Sequence, residues 1–155
     1  MLPLIKYIKM KEIASNLRKA IIDSISPLIV QGTTIPIFDE RVNPNTQLAS
    51  FQGSQAYVII SDQTETETTS DKCGVRQSAN ITIDIVTKYP LNGGGKKACE
   101  DISNVIQLII DRFIIIPGWQ VLNVRKEFSR NIVENGQTLT AYRKLISYTF
   151  DVFEE

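Results

Sequence analysis

The residues best placed for chemistry are Gly93-Gly94-Gly95-Lys96-Lys97, which lie between a strand pattern and a helix pattern. A glycine turn that feeds a helix N-terminus presents backbone N–H groups and the positive end of the helix dipole, a setting that favours phosphate. Gly94, Gly95, Lys96 and Lys97 are therefore the anion-site candidates. The P-loop spacing G-x-x-x-x-G-K-[ST] is not met. With Gly95-Lys96 as the closing pair, Pro90 stands at the first glycine position, and Lys97 replaces the hydroxyl residue that would hold magnesium. The competing reading is a flexible reversal between strand and helix.

Other chemistry is thinner. The chain has no histidine, which removes the commonest general base and zinc ligand and every His-dependent triad. Glu65 and Glu67 sit in a polar stretch, and Glu100 and Asp101 open a helix pattern, where acids complement the dipole. Serines and threonines abound, but none has a base beside it to make it a nucleophile. Cys73 and Cys99 are too few for a disulfide framework and lack metal-ligand spacing, so they read as reduced thiols, with Cys99 packed on its helix. Arg125-Lys126 and Arg143-Lys144 add positive charge to the last two strands, where lysines and arginines commonly protect edges and keep a sheet soluble. These residues predict no enzyme, no metal and no cofactor.

The elements that would position such groups follow from periodicity. Ala79, Ile81, Ile83 and Ile85 alternate with Asn80, Thr82 and Asp84, a strand with one face on a core. Pro90 and the glycines stop it. Ala98, Ile102, Val105, Ile106, Ile109 and Phe113 then recur at steps of three and four, the stripe of an amphipathic helix. A first helix is predicted from Met10, Ile13, Ala14, Leu17, Ile21, Ile25 and Leu28, with Pro27 ending it. Residues 1–9 are an extra turn or an extended arm. Short strands are expected at Ile35-Pro36-Ile37-Phe38 and at 56–61, with loop from 39 to 54 between them. Residues 62–72 are polar throughout, with Asp62, Glu65, Glu67 and Asp71 and no base before Lys72, and read as a long hairpin loop. Trp119 is expected as a core plug beneath an apolar corner. Strands at 121–128 and 139–153 flank Asn135-Gly136, a strong hairpin dipeptide.

The predicted class is α+β: a mainly antiparallel sheet of about five strands with two helices on one face, in the order α-β-β-β-α-β-β. A chain of 155 residues makes one domain, 1–155, by default. Isoleucine outnumbers leucine more than two to one, which favours sheet. Lys+Arg and Asp+Glu are 17 each, so bulk charge does not draw the chain to nucleic acid or an anionic membrane. The apolar start is short and broken by Lys6 and Lys9, unlike a signal peptide, and no window supplies the ~20 apolar residues of a membrane span.

The succession of elements carries a resemblance. A leading amphipathic helix is followed by Ile35-Pro36-Ile37-Phe38-Asp39, a Pro/Asn/Gln loop, Tyr57-Val58-Ile59-Ile60-Ser61 and a polar hairpin. Then come Ile81-Thr82-Ile83-Asp84-Ile85-Val86, a small-residue turn into the second helix, and a closing strand ending Tyr148-Thr149-Phe150-Asp151-Val152. From about Lys11 to Phe153 this resembles the tail-terminator or tail-completion family of tailed bacteriophages, small α+β subunits of the ring where head or neck meets tail. The resemblance implies a non-enzymatic virion subunit, assembled in the host cytoplasm into a homo-oligomeric ring. It implies neighbouring connector, portal and tail proteins as partners, and DNA passing through the lumen without sequence-specific binding. No membrane partner and no cofactor are expected. Within that reading Asp62, Glu65, Glu67, Asp71 and Lys72 are the candidate subunit-interface loop. Two rivals remain: a small cytosolic α+β domain binding a partner or ligand with no viral role, and a weak phosphate binder using residues 93–97.

Overall fold

The computed structural model describes residues 13–42, 48–71, 74–110 and 114–155, with backbone alone for 62–71, 74 and 75. The first helix, α1 (Ile13–Ile25), buries Ile13, Leu17, Ala20, Ile21 and Ile25 as one stripe. It stops short of Pro27, whose ring disfavours helical dihedrals in the residue before it. Leu28, expected on the helix, opens a strand instead. The proposed arm at 1–9 lies outside the described residues.

β1 (Leu28–Val30) and β2 (Thr33–Ile35) form a small antiparallel hairpin of their own. Its turn, Gln31-Gly32, has φ of 50° and 80°, the left-handed pair that a type I′ turn requires. The strand expected over 35–38 is in fact two. Pro36 cannot donate to a ladder, so β2 ends before it and β3 (Ile37–Asp39) begins after it, now paired with a different sheet. Pro36 still accepts a hydrogen bond, from Val58 N at 2.9 Å.

The main sheet has six strands. β4 (Ala49–Phe51), within the expected 39–54 loop, turns through Gln52-Gly53 (φ 49° and 78°) into β5 (Ser54–Asp71). β6 (Gly74–Pro90), β7 (Trp119–Asn135) and β8 (Leu139–Glu154) complete the order β3-β5-β6-β8-β7, with β4 also on β5. All pairs are antiparallel except β3 with β5. The α+β class and the two helices on one face are as expected. The sheet is mainly antiparallel, with the one parallel pair β3–β5, and has six strands rather than about five; the β1–β2 hairpin adds a second small sheet.

The expected loop at 62–72 is the largest departure. β5 runs on to Asp71 and pairs with β6 down to Asp71↔Gly74, interrupted only by irregularities at Ser61/Thr64 and Glu67/Thr69. Thr64, Thr66 and Thr68 alternate along this stretch, and β-branched threonine suits a pleated strand even where both faces are polar. Polarity was the wrong guide because it reports exposure, not dihedral preference. β7 likewise continues through 129–135, beyond its expected end at 128, to a turn at 136–138.

The core lies on one face of this sheet. Ala56, Val58 and Ile60 of β5, Ala79, Ile81, Ile83 and Ile85 of β6, and Ile146, Tyr148, Phe150 and Val152 of β8 meet α1 and α2 (Lys97–Ile110) there. α2 presents Ala98, Cys99, Ile102, Ile106 and Ile110, and the β1–β2 hairpin adds Leu28, Val30 and Ile35. Trp119 is buried in the same core at the start of β7. A smaller cluster of Phe38, Tyr57 and Val86 covers one corner of the opposite face.

Candidate functional site

At the N-terminus of α2 the glycine turn is shaped by packing. Gly93 N donates to Pro90 O at 2.8 Å, closing the reversal after β6. Gly94 has φ +82°, and a Cβ there would run into the Tyr89 ring, so glycine is what lets the chain pass over that tyrosine. Lys97 Nζ lies 2.8 Å from Asp101 Oδ2, one turn along the helix, while Lys96 is exposed. The four anion-site candidates thus stand together, with one lysine already matched by a carboxylate.

Asp101 gathers more than that lysine. Its Oδ2 accepts from Gln52 Nε2 at 2.7 Å and Gln31 Nε2 at 3.2 Å, and Gln52 Nε2 reaches Gln31 Oε1 at 3.1 Å. Lys97 first, then Gln52 and Gln31, hold the carboxyl below its ordinary value of 3.8. The tips of two type I′ turns are so fastened to the first turns of α2. Sequence reasoning missed this group; the repeated Gln-Gly dipeptide, at 31–32 and 52–53, was the available signal.

The face of the sheet away from the helices is joined in its own plane. Arg143 grips Asp84 through both Nε and Nη2, and its Nη1 donates to Glu134 Oε1 at 2.6 Å. Asp84 is 3% exposed, a buried charge with its partner in place, and the pairing raises the Arg143 pKa above its usual value. Further along, Ser78 Oγ donates to Asp151 Oδ1 at 2.5 Å, and Asn80 Nδ2 bridges Ser147 Oγ at 2.7 Å and Thr149 Oγ1 at 3.2 Å. Arg125 Nη2 approaches Asp151 Oδ2 at 3.4 Å. Arg125 and Arg143, two of the four cations noted in sequence, are thus engaged within the sheet.

Of the candidate interface residues, Glu65 pairs in register with Ala79, Glu67 with Gln77 and Asp71 with Gly74, and Asp62 lies in the irregularity after Ser61. The carboxylates therefore occupy one strand rather than a loop. Lys72 lies outside the described residues. Among the described residues nothing pairs with the outer side of β5 beyond Ile60, and β7 after Trp119 pairs on one side only, with β8.

The Cys99 thiol is buried and pushed up by desolvation, with Thr87 Oγ1 at 3.3 Å, the environment of an unreactive thiol. Among the described residues no cluster of three metal-ligating side chains occurs, and no helix is long and apolar enough to cross a membrane.

No protein-family model matches the sequence, and no curated protein does. A solved structure does match the fold: a chain in the virion of a native gene transfer agent (GTA) particle, at TM-score 0.53 and 12% identity, covering 90% of this chain and 90% of that one. The two chains share a fold over 90% of the length of each.

Proposed function

We propose that this protein is a non-enzymatic structural subunit of a phage-like virion, forming part of a ring at the head–tail junction. The observation that carries the reading is the match of the fold, over 90% of each chain, to a chain of a gene transfer agent virion. The sequence resemblance to tail-terminator and tail-completion subunits supports it, being drawn from the order of elements rather than from the fold comparison. The side chains agree in character. Their polar groups are spent on joining strands to one another and helix to turn, as in a subunit whose task is shape. In this role the chain joins the capsid connector to the tail, and DNA passes through the ring without sequence-specific contact. Balanced charge, 17 bases against 17 acids, suits a lumen that must not hold DNA.

Deleting the coding sequence in a strain that makes the particles tests this by electron microscopy. Filled heads and tails that fail to join are the expected result. Tails of irregular length in place of unjoined parts would assign the terminator role within the same ring. Intact particles in normal yield would overturn the proposal in favour of a cytosolic binding domain.

A further inference from the structure

We infer that the β7 edge of one copy docks head to tail against the distal β5 edge of the next, basic residues facing carboxylates. The inference takes its closed, ring-like geometry from the function proposed above, and its residues from the two edges themselves.

Both edges are open among the described residues, and they lie on opposite sides of one sheet. Their directions match. β5, β6, β8 and β7 alternate, each antiparallel to the next, so β7 runs antiparallel to β5 of the same chain. A second copy set beside the first without being flipped therefore brings its β5 to β7 in the antiparallel sense and keeps its helices on the same side. That is a heterologous contact, which repeats and closes if the rotation per copy allows.

Charge selects this pairing over the others. Residues 62–71 of β5 hold Asp62, Glu65, Glu67 and Asp71 and no base. β7 holds Arg125, Lys126 and Arg130, all exposed, against Glu127 and Glu134; Glu134 is bound to Arg143, Arg125 is shared between Asp151 and Glu127, and Lys126 donates to the neutral Gln107 of α2 and keeps its charge unmatched. Two β5 edges would bring like charges together, whereas β5 against β7 brings opposite ones. Exposed Leu122 and Phe128 on β7 supply apolar area for the contact.

The ladder itself is blunted. β5 has irregularities at Ser61/Thr64 and Glu67/Thr69, and β7 at Val121/Asn123 and Lys126/Phe128. Bulges of this kind stop an edge from accepting any strand offered to it. The contact must then lean on side-chain charge, and it must be sensitive to salt.

Charge exchange between the edges tests it. The Lys126→Glu/Arg130→Glu pair makes both edges acidic, and Glu65→Lys/Glu67→Lys puts two lysines at the centre of the β5 stretch and cancels its net negative charge. Sedimentation velocity and native mass spectrometry should find the parent chain in oligomers larger than a dimer, each variant alone as a folded monomer, and oligomers again when the two variants are mixed. Oligomers of the parent should dissociate in about 1 M NaCl, where the Debye length falls to about 3 Å. A monomeric parent, a closed dimer, variants that associate as the parent does, or a mixture that stays monomeric would each overturn the inference. Should the β7 variant fail to fold, the β5 variant alone must still abolish association. A chain present in particles but without this charge rescue defeats the edge contact and leaves the virion role standing; rescue without particle incorporation does the reverse.

Discussion

Successive residues of β6 live in two different environments that exposure alone does not separate. Ala79, Ile81, Ile83 and Ile85 are 0% exposed beneath the helices, yet Thr82 and Asp84 between them are only 6% and 3% exposed on the other face. The helix face is closed by another layer: Leu17 and Ile21 of α1 and Ile102 and Ile106 of α2 sit in the same cluster as the isoleucines. Beyond the corner under Phe38, the opposite face is closed sideways, by neighbours across the strands that supply hydrogen bonds. One face is held by apolar area, which tolerates any well-packed hydrophobe of the right volume. The other depends on particular partners at particular register, and a missing partner leaves a buried polar group bare.

The sharpest way to break the comparison is to put the chemistry of one face on the other. Ile83→Asp, or Ile106→Asp on α2, places a charge in the apolar layer with nothing to pair it. The expected cost is several kcal/mol, on the scale of a whole domain's stability. Both variants should be unfolded or insoluble by circular dichroism and solubility assay. A cooperative transition near the parent's midpoint would mean that the helix face is not closed as described.

A smaller effect is expected on the other side of the sheet. Arg143→Met removes the partner of buried Asp84 and should cost about 3–5 kcal/mol in denaturant titration. Adding Asp84→Leu to it should recover most of that loss, because the pair then becomes two apolar side chains of comparable size. If the double variant is no better than the single, the face is held by more than this pair, and the contrast between the two faces is weaker than drawn.

The faces also differ in how far the sequence discloses them. The period-2 run from Ala79 to Ile85 names the helix face directly, and the stripe from Ala98 to Ile109 nearly so, with Ile110 buried where Ile109 is only half-buried, because these residues obey the geometry of their own element. The polar pairs obey a geometry shared between elements. Asp84 and Arg143 are 59 residues apart, and only the β6–β8 register brings them together. Pro36 and residues 62–71 failed for local reasons: one proline served two strands, and alternating threonines were outvoted by their polarity. The Gln-Gly turns carried a signal of their own, but their glutamines find Asp101 only once α2 is laid over them.

Asp101 gives the smallest and most conditional of the effects, because it is a polar tie at the rim of the face that is otherwise apolar. Its carboxyl titrates below the ordinary value of 3.8 because Lys97, Gln52 and Gln31 favour the charged form. A group whose pKa is lowered on folding stabilises fully above its unfolded value and loses that contribution as the pH falls through the folded one. Asp101→Asn keeps a side-chain oxygen as acceptor but removes the charge, so near neutrality it should lower Tm by roughly 1–3 °C for a chain of this size. The deficit should close as the pH falls through the lowered folded-state pKa, where the parent carboxylate is itself protonated. Salt should narrow it as well, since Lys97 is largely exposed. Scanning calorimetry of parent and variant from neutral pH down to the lowest pH at which both still fold reads the difference directly, with general acid destabilisation cancelling between them. A deficit that stays constant across that range would show that the turns are fastened to α2 by hydrogen-bond geometry alone, and the rim would then work as the open face does.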